Sequence, residues 1–325
     1  MLEEFKNLPI WKEYEKNNTS DYNLDTLASN ALELLDRYYL AFPKYTLHNR
    51  RHQYNILKII GELLGGEIEK LESLECAIII LSVFYHDIGM VFSKAELDKI
   101  QVEDTFQIFI DSNYKAKLYF QENSTKLNED LAEWYCRWMH AERVWKFLDD
   151  LDKQKWGTIS LKDAVGSICE SHNKGVNYLN DDQHFDSNFL GKADLKFCAI
   201  LLRLGDILDF DNSRTPKSVY EYLDLENPKN TSDQLSKDEW NKHLCSDGFT
   251  ITHDNNESTI SFIAGPEHPQ IEKNIQTFLD VIQDELKRCI DFLPKCSKRW
   301  REFRLPSTID RSNIKSTKKG ILSFH

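Results

Sequence analysis

The stretch Leu81 to Met90 reads LSVFYHDIGM and decides how the rest of the chain is interpreted. It closes a longer apolar run and ends in the polar pair His86-Asp87. An imidazole or a carboxylate buried without a partner costs several kcal/mol, and both groups are good ligands for a divalent metal. We therefore predict a buried helix at Leu74 to Ile88 that carries two metal ligands into a pocket at its C-terminal end, where Gly89 lets the chain turn away.

The composition is that of a globular chain. The 325 residues are 41% hydrophobic and 29% charged, enough for one large domain or for a domain with an appendage. No apolar run approaches the ~20 residues of a membrane span, and the N-terminal stretch MLEEFKNLPIWKEYEK lacks a signal-peptide core. The seven cysteines include no CxxC pair, which argues against a Cys-rich zinc site and suits a reducing compartment. We therefore expect a cytoplasmic protein that contacts no membrane.

Charge is spread unevenly along the chain. The formal net charge of -12 argues against a protein that coats nucleic acid with its whole surface. The stretch Lys295 to Lys319 nevertheless carries nine Lys and Arg against two acidic residues. We interpret residues 295–325 as a loosely held basic tail, which would act as a linker if a further domain followed it.

The first 225 residues show one helical pattern after another and are predicted to form a single bundle. Residues 1–21 are polar and are expected to be peripheral. Helices are predicted at residues 24–39, 47–64, 74–88, 94–100, 102–121, 129–148, 160–171 and 189–208.

The pattern changes after the bundle. Residues 249–253 and 258–264 alternate in polarity and are rich in Thr, Ile and Phe, with the turn sequence DNNE between them. This predicts a β-hairpin, which is too small to be a domain alone. A long helix is predicted at residues 270–292, so residues 226–294 are interpreted as an appendage of hairpin and helix. The predicted fold class is mainly α.

Polar residues with ligand chemistry recur inside or at the ends of these apolar helices. Six of them are candidate metal ligands: His52, His86, Asp87, His140, His172 and Asp206. A mixed set of imidazoles and carboxylates suits Mn, Fe, Co, Ni or Zn better than Mg alone. His48 lies four residues before His52 and is interpreted as a residue on the helix surface rather than as a ligand.

The order of these residues resembles that of the HD superfamily of metal-dependent phosphohydrolases. Five blocks carry the resemblance across residues 45–220: HNRRHQYNIL, FYHDIG, MHAERV, ICESHN and LLRLGDILDFDNSRTP. The chain is most similar to the HD domain that bacterial conflict-type proteins, which act in defence, carry fused to a GHKL-type ATPase. The resemblance implies an HD-domain helical bundle, here residues 1–225, and a GHKL-type ATPase domain or partner.

The resemblance also implies roles for individual residues. The first metal would be held by His52, His86, Asp87 and Asp206. Asp87 would bridge to a second metal held by His140 and His172, and these three residues would be catalytic. Many relatives have a lysine near the phosphate where this chain has Met90. Substitute cations, each next to a ligand block, are Arg51, Arg143, Arg203 and Arg214.

The function implied is hydrolysis of a phosphoester or phosphoanhydride by a metal-activated water. The expected substrate is a nucleotide or a related small phosphate, and single-stranded nucleic acid stays open. Two other interpretations remain at this stage. One is a non-catalytic nucleotide-sensing or regulatory module for an ATPase partner, and the other is a helical scaffold with a structural metal. The sequence leaves the number of metal ions, one or two, and the formation of oligomers undecided.

Overall fold

The computed structural model describes residues 2–42, 44–229, 231–254 and 257–316, and within these ranges the chain is mainly α-helical, as predicted. The helices are α1 (Glu3–Lys6), α2 (Pro9–Asn17), α3 (Leu24–Leu35), α4 (Arg50–Leu64), α5 (Ser73–Tyr85), α6 (Lys94–Leu97), α7 (Asp104–Ser112), α8 (Tyr114–Glu122), α9 (Glu129–Arg143), α10 (Asp149–Lys153), α11 (Lys162–Ser171), α12 (Leu195–Leu208), α13 (Lys217–Tyr222), α14 (Thr231–Leu244) and α15 (Pro269–Phe292). The strands are β1 (Lys155–Trp156), β2 (Ile159–Ser160), β3 (Ser246–Asp254), β4 (Glu257–Ala264) and β5 (Ile309–Ile314).

Helix α5 lies at the centre, with α2, α3, α11 and α12 packed around it. Every side chain from Leu74 to Tyr85 is buried. Ile78 and Ile79 are β-branched and have modest helix propensity, but burying each side chain is worth about 1.5–3 kcal/mol and outweighs that deficit. The predicted central helix is confirmed, and it ends with His86 as its C-cap.

The segment Ser73–Met90 is long and apolar enough, by length and composition, to cross a membrane. In the structure 94% of that segment is buried inside the protein. Its apolar character therefore follows from its position at the centre of the helical core.

Several predicted helices have different limits, and in two of them a polar side chain caps a new helix start. The helix predicted at 102–121 is broken at Asn113, whose side chain accepts a 3.1 Å hydrogen bond from the backbone N–H of Ala116 and begins α8. The helix predicted at 189–208 begins only at Leu195, because the Asp194 carboxylate accepts from the N–H of Phe197. An N-cap of this kind is worth about 1 kcal/mol, which decides a helix limit inside an apolar pattern.

The N-terminal residues are part of the core, so the expectation that 1–21 is peripheral is wrong. Phe5 and Trp11 are fully buried, and both rings pack against Phe84 of α5, with centroid distances of 4.9 and 6.1 Å. Helices α1 and α2 place these aromatic rings on the central helix. The mixed charge of the N-terminal sequence did not indicate this packing.

The predicted hairpin is confirmed as β3 and β4, which pair antiparallel. The sheet has a further strand, β5, which pairs parallel with β4. Phe262 of β4 and Leu279 of α15 belong to the same hydrophobic cluster as α4, α5 and α12. The hairpin and α15 therefore share the core of the bundle, while the domain limits 1–225, 226–294 and 295–325 stay predictions.

The interpretation of residues 295–325 as a loosely held basic tail is wrong for residues 295–316. Trp300 is fully buried, and its indole N–H donates a 2.9 Å hydrogen bond to Glu75 of α5. Arg299 donates to the same carboxylate at 2.8 Å. The prediction rested on the number of basic residues, whereas buried apolar side chains between them anchor the segment. Residues 317–325 of the predicted tail lie outside the described residues.

Candidate metal centre

Five helices deliver the candidate ligands from their ends to one place. His52 lies in the first turn of α4, and His86 caps the C-terminus of α5. His140 lies in the last turn of α9, and His172 caps the C-terminus of α11. Asp206 lies in the last turn of α12. The structure therefore brings together all six candidate ligands, including Asp87, which follows His86.

The first group of donor atoms is formed by His52, His86 and Asp206 together with one oxygen of Asp87. The Nε2 atoms of His52 and His86 are 3.3 Å apart. Oδ2 of Asp87 lies 3.3 Å from the first nitrogen and 3.1 Å from the second. Oδ1 of Asp206 lies 3.3 Å from Nε2 of His52. Both imidazoles are completely buried, whereas the Asp206 side chain is 29% exposed, so solvent reaches this group from the side of Asp206.

The second group uses the other oxygen of the same carboxylate. Oδ1 of Asp87 lies 3.5 Å from Nε2 of His140 and 3.9 Å from Nε2 of His172. The two Nε2 atoms are 3.0 Å apart. Each oxygen of Asp87 therefore faces a different pair of histidines, which is the arrangement expected of a carboxylate between two metal ions.

The hydrogen bonds of the imidazoles leave their Nε2 lone pairs free for a cation. Nδ1 of His86 donates to the carbonyl of Val83 at 2.9 Å, and Nδ1 of His140 donates to the carbonyl of Arg137 at 2.6 Å. Nδ1 of His172 bonds the carbonyl of Cys169 in the same way. A neutral imidazole with Nδ1 protonated carries its lone pair on Nε2, so the nitrogens that converge are the ones able to bind metal.

The electrostatics of the cluster favour a cation at its centre. Although burial and a nearby arginine lower the pKa of His52, the neighbouring carboxylates of Asp206, Asp209 and Asp87 raise it to about 10. Burial and the neighbouring His140 lower the pKa of His172 to about 4, so this imidazole is neutral at pH 7. Oδ2 of Asp87 is buried and has no hydrogen-bond donor. Imidazole and carboxylate donors around an unsatisfied buried oxygen fit a divalent transition metal.

Gly89 allows α9 to approach the His86-Asp87 segment closely. A Cβ atom on Gly89 would lie 1.8 Å from the carbonyl oxygen of His140. Arg143 stabilises this contact between α9 and the His86-Asp87 segment, since its Nε donates to the carbonyl of Gly89 at 3.0 Å. Close packing rather than the predicted turn therefore requires the glycine, and it brings the second pair of histidines to Asp87.

Asp209 is a site residue that sequence reasoning missed. Its Oδ2 lies 2.5 Å from Nδ1 of His52, and its Oδ1 accepts a 2.8 Å hydrogen bond from Asn55. A carboxylate behind a ligating histidine fixes the tautomer and the orientation of the ring. The sequence DILDFD contains three aspartates, and the spacing alone did not separate the one that faces the cluster, Asp206, from the one that supports it.

The position of His48 also differs from the prediction. It precedes α4 and is only 8% exposed, so the expectation of a residue on the helix surface is wrong. Its Nδ1 donates to the carbonyl of Thr46, and its Nε2 accepts a 2.6 Å hydrogen bond from Arg214. Burial and Arg214 lower the pKa of His48 well below its usual value. This histidine lies 4.0 Å from Asp87, with its Nε2 already engaged by the arginine.

A cavity of about 750 Å³ opens onto Asp87, His140, His172 and Asp206. This volume is within the range of small-molecule sites. The walls include aromatic and cationic side chains, several of which no sequence motif indicated: Tyr45, Trp134, Arg137, Trp138, Lys174 and Arg288. Helix α14, which was not predicted, adds Glu239 and His243.

The four arginines proposed from sequence to bind substrate have different positions. Arg203 and Arg214 line the cavity, whereas Arg51 and Arg143 do not. Arg203 forms a buried salt bridge with Glu285 at 2.6 Å. Arg51 is exposed and lies over the ring of Tyr54. Their role in binding substrate stays a prediction.

The fold and the site define a class: an α-helical HD-type domain whose buried His and Asp clusters could hold a divalent metal. Residues 42–288 match the family model described as HD-CE, which covers more than half of the chain, and the chain belongs to the HD-CE family. No curated protein matches the chain. No solved structure matches it either. The resemblance is thus confirmed for the HD-type domain, while the closer relation to GHKL-fused proteins stays a prediction.

Proposed function

We propose that the protein is a metal-dependent phosphohydrolase that acts on a nucleotide or a related phosphate. The observation that carries the proposal is the position of Asp87, with one oxygen facing His52 and His86 and the other facing His140 and His172. A divalent ion held there would supply Lewis acidity, and would lower the pKa of a bound water from 15.7 towards ~7.

The ligand residues form two groups, one for each proposed ion. His52, His86, Asp87 and Asp206 would hold the first ion, with Asp209 orienting His52. His140 and His172 would hold a second ion beside Asp87. If only one ion binds, the free imidazoles of His140 and His172 border the cavity, where a neutral Nε2 is placed to accept the proton of the attacking water and pass it to a leaving oxygen. Mn, Fe, Co, Ni or Zn suits these donors better than Mg alone.

A second candidate function is a nucleotide-sensing module that relays its state to an ATPase partner without turnover. Met90 favours it, because this buried apolar side chain lines the cavity where many relatives have a phosphate-binding lysine. Turnover distinguishes the two candidates, since both would bind metal and nucleotide.

The test is a screen of purified full-length protein against nucleotides with Mn, Mg, Co, Ni and Zn, in which phosphate and products are identified. We expect hydrolysis with at least one transition metal and its loss in Asp206→Asn. The exposed Asp36 offers a matched control, Asp36→Asn, which should leave the rate unchanged. Metal binding and nucleotide binding without any hydrolysis would favour the sensing module, and protein that cannot be loaded with metal would exclude both candidates.

A further inference from the structure

Among the described residues that line the cavity, one basic side chain has no carboxylate within salt-bridge distance. Four of the five basic side chains in its walls lie within salt-bridge distance of a carboxylate: Lys174 of Glu142, Arg203 and Arg288 of Glu285, and Arg214 of Asp209. Arg137 has no carboxylate of a described residue within salt-bridge distance, and Glu239, Glu133 and Asp87 act on it only through longer-range charge interactions. A guanidinium left unpaired beside a metal centre is free to bind an anion.

A stack of side chains holds Arg137 in the cavity. Its Cζ lies 4.9 Å from the centroid of the Tyr45 ring, and that ring stacks on His48 with centroids 4.7 Å apart. His48 in turn accepts from Arg214. Besides this contact with the ring, the guanidinium donates no hydrogen bond to a described residue. Such a fixed planar fork matches two oxygens of a phosphate group.

Helix α9 connects this arginine to the metal centre. The carbonyl of Arg137 accepts the Nδ1–H of His140 at 2.6 Å, and Nε2 of His140 faces Asp87 at 3.5 Å. The same turn of helix therefore orients a candidate ligand and presents a cation next to it. Arg137, His140 and Asp87 therefore line the same cavity.

The wall next to Arg137 is aromatic. Trp134 and Trp138 lie on the same helix, are partly exposed and line the cavity together with Met90. Trp138 packs on Phe109 at 5.7 Å, which fixes the wall from behind. A flat ring can stack on such indoles whatever its pattern of hydrogen-bonding groups.

We propose that Arg137, held by Tyr45, binds the phosphate of the substrate and that the wall formed by Trp134 and Trp138 holds a nucleobase. This inference rests on the proposed phosphohydrolase function for the identity of the site, and it assigns a nucleotide as the substrate class.

The proposed contact between Arg137 and the phosphate is tested by calorimetric measurement of ligand binding to the Mn-loaded full chain. The probes are phosphonate analogues of AMP, GMP, CMP and UMP and of ribose 5-phosphate, in which a methylene prevents hydrolysis. Arg137→Gln should weaken binding of every phosphonate about 10-fold or more, because a charge-assisted hydrogen bond is lost. Arg137→Lys, which keeps the charge without the fork, should recover part of the affinity. The exposed Arg301 provides the matched control Arg301→Gln, with no expected effect.

The proposed contact between the tryptophan wall and a nucleobase is tested with the same probes. Wild-type protein should bind at least one nucleotide analogue about 5-fold or more tightly than the ribose 5-phosphate analogue. Trp138→Leu should remove that preference and leave the ribose analogue unchanged, with Trp134→Leu as the second variant if Trp138→Leu does not fold. Equal binding of all probes, or unchanged affinities in Arg137→Gln, overturns the inference but leaves the phosphohydrolase proposal standing. Base-selective, Arg137-dependent binding without turnover would instead overturn the phosphohydrolase proposal alone.

Discussion

Replacing Asp209 by Asn should weaken metal binding at the first group of ligands while leaving the fold intact. The wild-type carboxylate is only 2% exposed and accepts two hydrogen bonds, one from Nδ1 of His52 at 2.5 Å and one from Asn55 at 2.8 Å. An asparagine at this position offers one acceptor and one donor in place of two acceptors.

Either orientation of the new amide breaks one contact. If its oxygen faces His52, its NH₂ group meets the NH₂ of Asn55, and two buried donors oppose each other. If its NH₂ faces His52, Nδ1 must accept, so the proton moves to Nε2 and blocks the lone pair needed by the metal. Loss of an outer carboxylate of this kind costs about 10- to 100-fold in metal affinity, equivalent to about 1.4–2.7 kcal/mol.

The measurement is Mn²⁺ affinity by titration calorimetry, with melting in chelator to verify the fold. The double variant with Asn55→Ala removes the opposing donor and should recover part of the affinity. Asp211→Asn is the matched control, because that carboxylate caps the turn at Ser213 and does not contact His52. Wild-type affinity in Asp209→Asn, or an equal loss in Asp211→Asn, would refute the assignment of Asp209 as the orienting residue.

Four further substitutions test the centre. Asp87→Ala should abolish the rise in melting temperature that Mn²⁺ produces, because both histidine pairs lose their shared carboxylate; an undiminished rise would remove Asp87 from the ligand set. His140→Ala and His172→Ala should each lower the metal content by about one ion without emptying the first group, and unchanged elemental analysis in both would leave them as core or proton-transfer residues. Gly89→Ala should destabilise the fold by about 1–3 kcal/mol in chemical denaturation, since the added methyl overlaps a backbone carbonyl, and wild-type stability would contradict the close-packing role of this glycine.

The sequence by itself determined the features that depend on local pattern. The apolar run before His86 identified the central helix, because an all-round apolar surface of that length must be buried. The alternation around residues 249–264 identified the hairpin. The six candidate ligands were identifiable because a His or Asp inside an apolar helix end needs a partner, and the resemblance to HD proteins supplied their order.

Tertiary packing alone decided the rest. Arg137 and Asp209 are charged residues among many in the sequence, and their roles depend on which neighbours share their face of the packed helices. The N-cap at Asn113 divides one predicted helix into two. A single side-chain hydrogen bond sets this limit, and the apolar periodicity of the sequence does not show it. Trp300 joined a basic segment to Glu75 of α5, more than two hundred residues away. Such long-range contacts have no local signature, because they arise from surfaces that meet only once the chain is folded.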